Sequence, residues 1–184
     1  MGKITVTGTG VAATFVGVQL TYEDFLADVA SDLAVAFPTS KVREVIAPRI
    51  GLGLDQPMFY VCPGDKCIEY EPCNAEDVTS RVYWPWYDCR IFGLVALTDG
   101  NYEDALSGSS SKDGILKLME DVYKHLVGNF LGLADIREAR VTWDQPAFFS
   151  ASFEGAGVNL YAAMGSLVYR VRLRQVAVLE LQIL

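Results

Sequence analysis

Three arginines alternate with apolar residues near the C-terminus, in residues 169–174. Alternation along a β-strand places Arg170, Arg172 and Arg174 on one face of a sheet and the apolar side chains on the other. Same-face neighbours lie about 7 Å apart, so the guanidinium groups repel one another unless acidic groups face them. The arginines therefore either pair inside the subunit, with acids such as Glu154 on an adjacent strand, or bind carboxylates of another subunit or partner.

The four cysteines are candidate metal ligands by residue type. Cys62, Cys67 and Cys73 are separated by four and five residues, and Cys89 lies farther along the chain. Structural zinc sites usually present ligand pairs separated by two to four residues, so the spacing predicts no metal site. The N-terminus also lacks the pattern of a secretion signal, which predicts reduced thiols in a protein made and kept in the cytoplasm.

No motif predicts catalysis or cofactor binding. Residues 8–13 match the G-x-G-x-x-A fingerprint of dinucleotide-binding proteins, but β-branched residues follow where a helix should begin. His125 is the single histidine, and its neighbours Asp121 and Lys124 predict a position on the charged, exposed side of a helix. We therefore expect no catalytic residue, no cofactor and no enzymatic activity.

Charge and hydropathy exclude two classes of partner. The 184 residues include 23 acidic and 15 basic side chains, giving a net charge of −8. This balance opposes general binding of nucleic-acid backbones, which depends on basic side chains that displace counterions. The longest apolar stretch near the N-terminus, residues 11–20, is about half the length that spans a bilayer, so we expect no membrane insertion.

The first predicted helix covers residues 22–36. Thr21 begins a capping-box pattern, acidic residues follow in the first turn, and Pro38 prevents continuation. Apolar residues at three- and four-residue steps predict a buried face. Asp24, Asp28 and Asp32 recur every four residues and predict an exposed acidic stripe on the other face.

A second helix is predicted over residues 113–129, with Ser110 or Ser111 as its cap. Its apolar residues form one broad stripe: Ile115, Leu116, Met119, Val122, Tyr123, Leu126, Val127 and Phe130. The preceding residues 99–112 are rich in Gly, Asn and Ser and predict a long polar loop. Only Tyr102, Ala105 and Leu106 are suited to anchor it, so we expect it to be mobile until a partner orders it.

Most of the remaining chain predicts β-strands. The segments rich in β-branched and aromatic residues are 58–62, 81–83, 89–97, 139–143, 148–153, 157–164 and 167–175. Pro85 predicts an edge or a bend, because proline cannot donate to a strand ladder. The expected fold class is α+β, with an antiparallel β-sheet packed by two amphipathic helices. One domain over residues 1–184 is predicted: a strand-like N-terminal arm (1–20), an α+β core (21–175) and a C-terminal extension (176–184).

The order of these elements resembles the tail terminator proteins of long-tailed bacteriophages. The first helix is followed by a strand at residues 57–61, an apolar strand at 91–97, a polar loop, the second helix and a terminal antiparallel hairpin ending at 167–171. The resemblance covers residues 21–175. The chain departs from the family pattern in the strand-like segment 3–20 and in the extension 176–184. The resemblance suggests that both are arms that reach neighbouring subunits.

The resemblance implies a structural virion protein of the tail or neck, assembled in the host cytoplasm. Such proteins form a hexameric ring on the tail tube and provide a surface for head–tail joining. The implied partners are further copies of the chain, the tail tube protein and a head-completion or connector protein, with DNA only passing through the lumen. An acidic lumen suits DNA passage because it does not retain the polyanion.

Two alternatives to a tail terminator are open. One is another neck component, such as a tail-completion or head-completion protein. The other is a small-molecule-binding or hydrolytic α+β domain with a pocket under the segment Trp84, Pro85 and Trp86.

Within the ring hypothesis, the arginine row and the acidic stripe are the expected contact surfaces. Successive carboxylates on the stripe are about 6 Å apart along the helix axis, close to the spacing of the arginines. Tyr102 and Leu106 of the polar loop are the other residues for which we expect a partner contact.

Overall fold

The structure is a computed structural model, and it describes residues 3–5, 11–16, 20–44, 56–69, 80–97, 101–109, 112–133, 136–155 and 158–181. Three helices are present in these residues: α1 (Tyr22–Ala36), α2 (Tyr102–Ser107) and α3 (Ile115–Leu126). Nine strands accompany them: β1 (Lys3–Thr5), β2 (Val11–Val16), β3 (Lys41–Glu44), β4 (Met58–Glu69), β5 (Ser80–Tyr83), β6 (Trp86–Leu97), β7 (Ile136–Gly155), β8 (Val158–Leu173) and β9 (Gln175–Leu181).

Helix α1 confirms the first predicted helix. The Thr21 hydroxyl accepts a hydrogen bond from the Asp24 amide at 3.0 Å, as a helix cap should, and the helix stops before Pro38. Phe25, Val29 and Leu33 are fully buried, which confirms the apolar face.

Helix α3 is shorter than the predicted helix over residues 113–129, and its cap differs. Gly114 occupies the N-cap position without a side-chain hydrogen bond, so the predicted serine cap is wrong, and Ser110 and Ser111 lie outside the described residues. At the other end the helix stops at Leu126, and Gly128 adopts a φ of 71° that helical residues do not.

The predicted polar loop contains helix α2. Asn101 and Asp104 form a reciprocal capping box, in which each side chain accepts a hydrogen bond from the backbone amide of the other residue. Ala105 is fully buried in the core and Leu106 packs partly against it, whereas Tyr102 stays 48% exposed. The expectation of a loop without regular structure is therefore wrong for residues 102–107.

The central sheet has five strands in the order β3-β4-β6-β8-β7. Strand β3 runs parallel to β4, and all other neighbours are antiparallel, so the sheet is mixed. The α+β class is confirmed, with one parallel pair that the sequence did not reveal. Residues 139–143 and 148–153, predicted as two strands, belong to the single strand β7, whose pairing with β8 shifts between Trp143 and Phe148.

A second sheet, with the order β1-β2-β9-β5, joins the two ends of the chain. Strand β2 pairs with β9 over six residues, from Val11 opposite Leu181 to Val16 opposite Val176. The strand-like character predicted for both extensions is confirmed in these residues, and the two extensions pair with each other. Pro85 lies between β5 and β6, which belong to different sheets, so it marks a bend rather than a strand.

The main core lies between one face of the central sheet and the helices. It contains alternate residues of the strands, such as Tyr87 and Cys89 of β6 and Tyr169 and Val171 of β8, together with the buried faces of α1 and α3. The intervening residues of these strands point to the opposite face, which we call the helix-free face because no helix of the described residues packs on it. One half of that face is apolar and buried: Met58, Tyr60, Cys62, Leu94, Ala96, Ala162 and Met164.

Candidate functional site

The other half of the helix-free face is charged and centres on Trp86. The guanidinium carbons of Arg140, Arg170 and Arg172 lie 4.8, 5.1 and 5.5 Å from the centre of the Trp86 ring. These distances are within the range of cation–π interactions, and the arginines leave the tryptophan only 4% exposed. We call these four residues the arginine–tryptophan patch.

Strand register explains why these side chains meet. Arg170 of β8 is directly opposite Arg140 of β7, and Arg172 is directly opposite Trp86 of β6. Directly opposed side chains in antiparallel strands are about 5 Å apart at Cβ, so three neighbouring strands bring four large side chains together. The sequence placed Arg170 and Arg172 on one face, and the structure adds Arg140 from the preceding strand.

Two glutamates pair with the patch. Arg170 donates a hydrogen bond from Nη2 to Glu69 Oε2 at 2.8 Å, and Arg140 pairs with Glu138 of its own strand. Hydrogen bonds from Lys66 and Arg170 lower the pKa of Glu69. Glu154, the acid named from the sequence, is opposite Asn159, far along the hairpin from the arginines. Arg170 thus pairs with an acid inside the subunit, and that acid is Glu69 on β4.

The patch is partly open to solvent. The Arg140 side chain is 59% exposed, the Arg170 side chain is 29% exposed, and Arg174 lies exposed at the end of β8. Strand register places Asp88 directly opposite Arg170 and Glu138 directly opposite Arg172, so the guanidinium groups of this face lie beside carboxylates.

A bulge in β4 lies directly before Glu69, one of the two glutamates that pair with the patch. Pairing with β6 shifts between Pro63 and Ile68, and Cys67 takes a positive φ of 54° within the bulge. The Tyr22 hydroxyl accepts a hydrogen bond from the Gly64 amide at 3.0 Å and donates one to the Asp88 carbonyl at 2.7 Å. Helix α1 is thereby tied to the bulge and to β6.

Asp88 is the buried acid beneath this bulge. The residue is 6% exposed, and burial, opposed by the nearby Arg170 charge, raises the pKa of its carboxyl group. A Cβ atom on Gly64 would collide with the Asp88 carboxylate, so only glycine fits at that position. The bulge and Asp88 form a packed unit beside the patch.

The predicted acidic stripe does not stay on one side of α1. Asp24 is exposed, Asp28 is half-buried, and Asp32 is half-buried against α3. Each four-residue step rotates a helical position by about 40°, so the stripe turns from the outer surface toward α3. Burial and the neighbouring Asp24 charge raise the pKa of Asp28.

Asp32 is engaged inside the subunit. Its Oδ2 lies 2.7 Å from His125 Nε2 and accepts a hydrogen bond from the Asn129 side-chain nitrogen Nδ2 at 2.9 Å. His125 therefore faces α1 and not the exposed charged side of α3, which corrects the prediction for this residue. The pair has the geometry of a helix–helix contact, and Tyr169 extends the network by donating to the Asn129 carbonyl at 2.6 Å.

A cavity of about 280 Å³ lies away from the patch, between the end of β6 and the start of α3. Its lining includes Phe37, Ser40, Pro57, Val95, Leu97, Lys112, Leu118 and Asp121. Its lining residues do not include Trp84, Pro85 or Trp86, the segment under which the sequence predicted a pocket. The arginine–tryptophan patch and this cavity are separate features.

The cysteines in the described residues are free thiols. Cys62 and Cys89 are buried and Cys67 is half-buried, while Cys73 lies outside the described residues. Burial raises the pKa of the Cys62 thiol to about 11. Within the part of the chain that the structure covers, no group of three or more His, Cys, Asp or Glu side chains is arranged to hold a metal ion.

None of the helices described is long and apolar enough to cross a membrane. The chain matches no protein-family model, and a search of curated proteins finds no match either.

Proposed function

We propose that this chain is a structural subunit of a bacteriophage tail that assembles into a ring, in the manner of a tail terminator. The observation that supports the proposal is that the arginines of the patch lie on one side of the central sheet and the acidic helix α1 lies on the other. Arg170 and Arg172 alternate with Tyr169 and Val171, whose side chains are buried against the helix layer. The arginine–tryptophan patch and the acidic helix α1 therefore lie on opposite sides of the sheet and cannot cover each other within one subunit.

Such an arrangement suits head-to-tail association. A contact between two different surfaces of the same chain generates a closed ring when its rotation closes, and a filament when it does not. Helix α1 contributes four acidic residues and no basic ones. His125 and Asn129 bind Asp32 within the subunit, and the helix itself offers no cation to the other three acids. The ring would cap the tail tube and present a second surface to a head-completion or connector protein.

The mass of the purified protein tests the proposal. We expect light scattering to give the mass of a closed oligomer, and the resemblance to tail terminators implies a hexamer. Negative-stain microscopy should show rings. Addition of tail tubes should place rings at one end of each tube. A protein that is monomeric at all concentrations, with or without tubes, would overturn the proposal. Rings that bind a head connector but no tube would favour another neck component.

The cavity near α3 supports a second candidate function, a small-molecule-binding or hydrolytic domain. A volume of about 280 Å³ with an apolar floor suits a small ligand. A monomer whose melting temperature rises with a member of a small-metabolite library would favour this function, especially if Leu118→Trp, which fills the cavity, abolishes the shift.

A further inference from the structure

The cavity near α3 combines an apolar floor with polar residues that are more exposed. Buried side chains of β6 and α3 form the floor: Val95, Leu97 and Leu118. Half-buried Ser40 and exposed Gln56 are among the polar residues that complete the lining. At about 280 Å³ the cavity exceeds the roughly 150 Å³ that hold a benzene molecule in a protein core. A single ring with a short polar arm therefore fits.

Asp121 of α3 supplies a half-buried carboxylate to this lining. Among the described residues it accepts no hydrogen bond and forms no ion pair. Lys117 and Lys124 are its neighbours at helical spacing, but Lys117 binds Asp113 at 2.8 Å. Lys124 binds Glu120 at 2.6 Å, so both lysines act on Asp121 only through longer-range attraction. The carboxylate of Asp121 is therefore available to a ligand.

The other charges of the lining leave Asp121 as the one that a ligand affects most. Asp113 also lines the cavity, and Lys117 balances its charge. Lys112 is the lysine among the lining residues, and it is exposed, so water solvates and screens its ammonium group. A half-buried carboxylate has lost part of its hydration and gains more from a cation than an exposed charge does from an anion.

Phe37 adds an aromatic ring to the same lining. Aromatic rings attract cations through the negative potential of their faces, and proteins use such rings to bind organic ammonium groups. The net charge of −8 further favours the approach of a cation. A carboxylate and an aromatic ring beside an apolar floor thus suit a small organic cation.

We infer that the cavity near α3 binds a small organic amine in its ammonium form. The ammonium group donates hydrogen bonds to the Asp121 carboxylate, and the apolar body of the ligand lies on the floor that includes Leu118. The inference rests on the second candidate function, the binding of a small molecule in this cavity, and it names the class of ligand.

Three probes of similar shape test the inference: phenethylamine, phenethyl alcohol and phenylacetate. They carry a positive charge, no charge and a negative charge at pH 7. In isothermal titration calorimetry we expect the wild type to bind phenethylamine at least about tenfold more tightly than phenethyl alcohol, because a hydrogen bond to a charged group is worth more than a neutral one. Phenylacetate should bind more weakly than either.

Asp121→Asn removes the charge and keeps the shape of the side chain. We expect this variant to bind phenethylamine no more tightly than phenethyl alcohol, while its affinity for phenethyl alcohol stays that of the wild type. Glu23→Gln is the matched control, because Glu23 is an exposed acid that does not line the cavity. It should keep the full preference for phenethylamine. Circular dichroism checks that both variants are folded, and the comparison of probes on the wild type does not depend on either.

The outcomes separate the inference from the function on which it rests. Binding in which phenethyl alcohol or phenylacetate equals or exceeds phenethylamine would overturn the inference and leave small-molecule binding in place. A preference for phenethylamine that persists in Asp121→Asn, or in Leu118→Trp, would place the amine elsewhere and overturn it as well. If the wild type binds none of the probes, the inference is wrong; if no member of the metabolite library binds either, the second candidate function is wrong with it.

Discussion

At the scale of single residues, Trp86 determines how the charged face is organised. Three guanidinium groups within 5.5 Å of one ring would repel each other in the absence of acids and an aromatic surface. The indole provides an apolar surface with a negative face, and Glu69 and Glu138 supply the countercharges. The patch is thus a stable arrangement in the free subunit that still exposes Arg140.

Tyr22 carries the hydroxyl that joins α1 to the β4 bulge. Tyr22→Phe should lower the free energy of unfolding by about 1–2 kcal/mol, because it removes the partner of the Gly64 amide and of the Asp88 carbonyl. Urea denaturation measures the loss. Tyr102→Phe is the matched control, since Tyr102 is 48% exposed, and it should leave the stability unchanged. Equal stability of both variants would contradict the role of the Tyr22 hydroxyl.

Asp28 is expected to destabilise the free subunit near neutral pH. Its pKa is raised in the folded protein, so the folded state binds the proton more tightly than the unfolded state, and ionisation lowers the free energy of unfolding. Asp28→Asn should therefore stabilise the protein at pH 7, by less than about 0.5 kcal/mol for a half-buried surface site.

The pH dependence checks the sign of this effect. As the pH falls through the raised pKa of Asp28 toward its ordinary value, the wild type regains the lost stability, and the difference from Asp28→Asn should disappear by about pH 3. Denaturation curves of the wild type and of Asp28→Asn at several pH values measure this difference. A variant that is less stable than the wild type at pH 7 would show that the carboxylate has a favourable partner in the free subunit.

At the scale of elements, the close approach of α3 to the sheet depends on Gly93. A Cβ atom at this position would collide with Met119 and lie 3.0 Å from the Ile115 Cδ1 atom. We expect Gly93→Ala to lower stability by about 1–3 kcal/mol in urea denaturation, as overpacking does in other cores.

A double variant identifies the cause of that loss. In the Met119→Ala background the collision with the Met119 side chain is absent. Gly93→Ala should therefore lower the free energy of unfolding much less in this background than in the wild type. If Gly93→Ala lowers the free energy of unfolding equally in both backgrounds, Gly93 acts through its backbone and not through the contact with α3.

Helix α2 changes the expectation for the polar loop. The Gly108 amide donates to the Asp104 carbonyl at 2.9 Å, and Ala105 is fully buried. We therefore expect measurable hydrogen-exchange protection of the Gly108 amide in the free subunit. Asn101→Ala, which removes the cap, should reduce that protection, because N-cap replacement by alanine costs about 0.5–2 kcal/mol. Exchange of this amide at the rate of an unstructured peptide would restore the prediction of a mobile loop.

At the scale of the whole molecule, charge-driven assembly predicts a dependence on salt. The screening length falls from about 10 Å at 0.1 M salt to about 3 Å at 1 M. We expect the oligomer to dissociate more readily in 1 M than in 0.1 M sodium chloride, as measured by light scattering at fixed protein concentration. Stronger association at high salt would indicate that burial of apolar surface, such as Trp143 and Phe130, drives assembly.

The sequence by itself determined the features that depend on local periodicity. The three- and four-residue steps of apolar residues identified α1 with its cap and its buried face, and identified most of α3. The two-residue alternation in residues 169–174 placed the arginines on one face of β8 and Tyr169 and Val171 on the other. These properties follow from side-chain direction along a single element, so no knowledge of distant residues is needed.

Only the tertiary structure decided which residues meet across elements. Strand order and register brought Arg140 and Trp86 to the arginines and put Glu69 in the place expected for Glu154. The packing of α3 against α1 turned Asp32 into a partner of His125 and removed it from the acidic surface. These contacts join residues that are far apart in the chain, and their geometry depends on how whole elements pack, which local patterns of residue type do not encode.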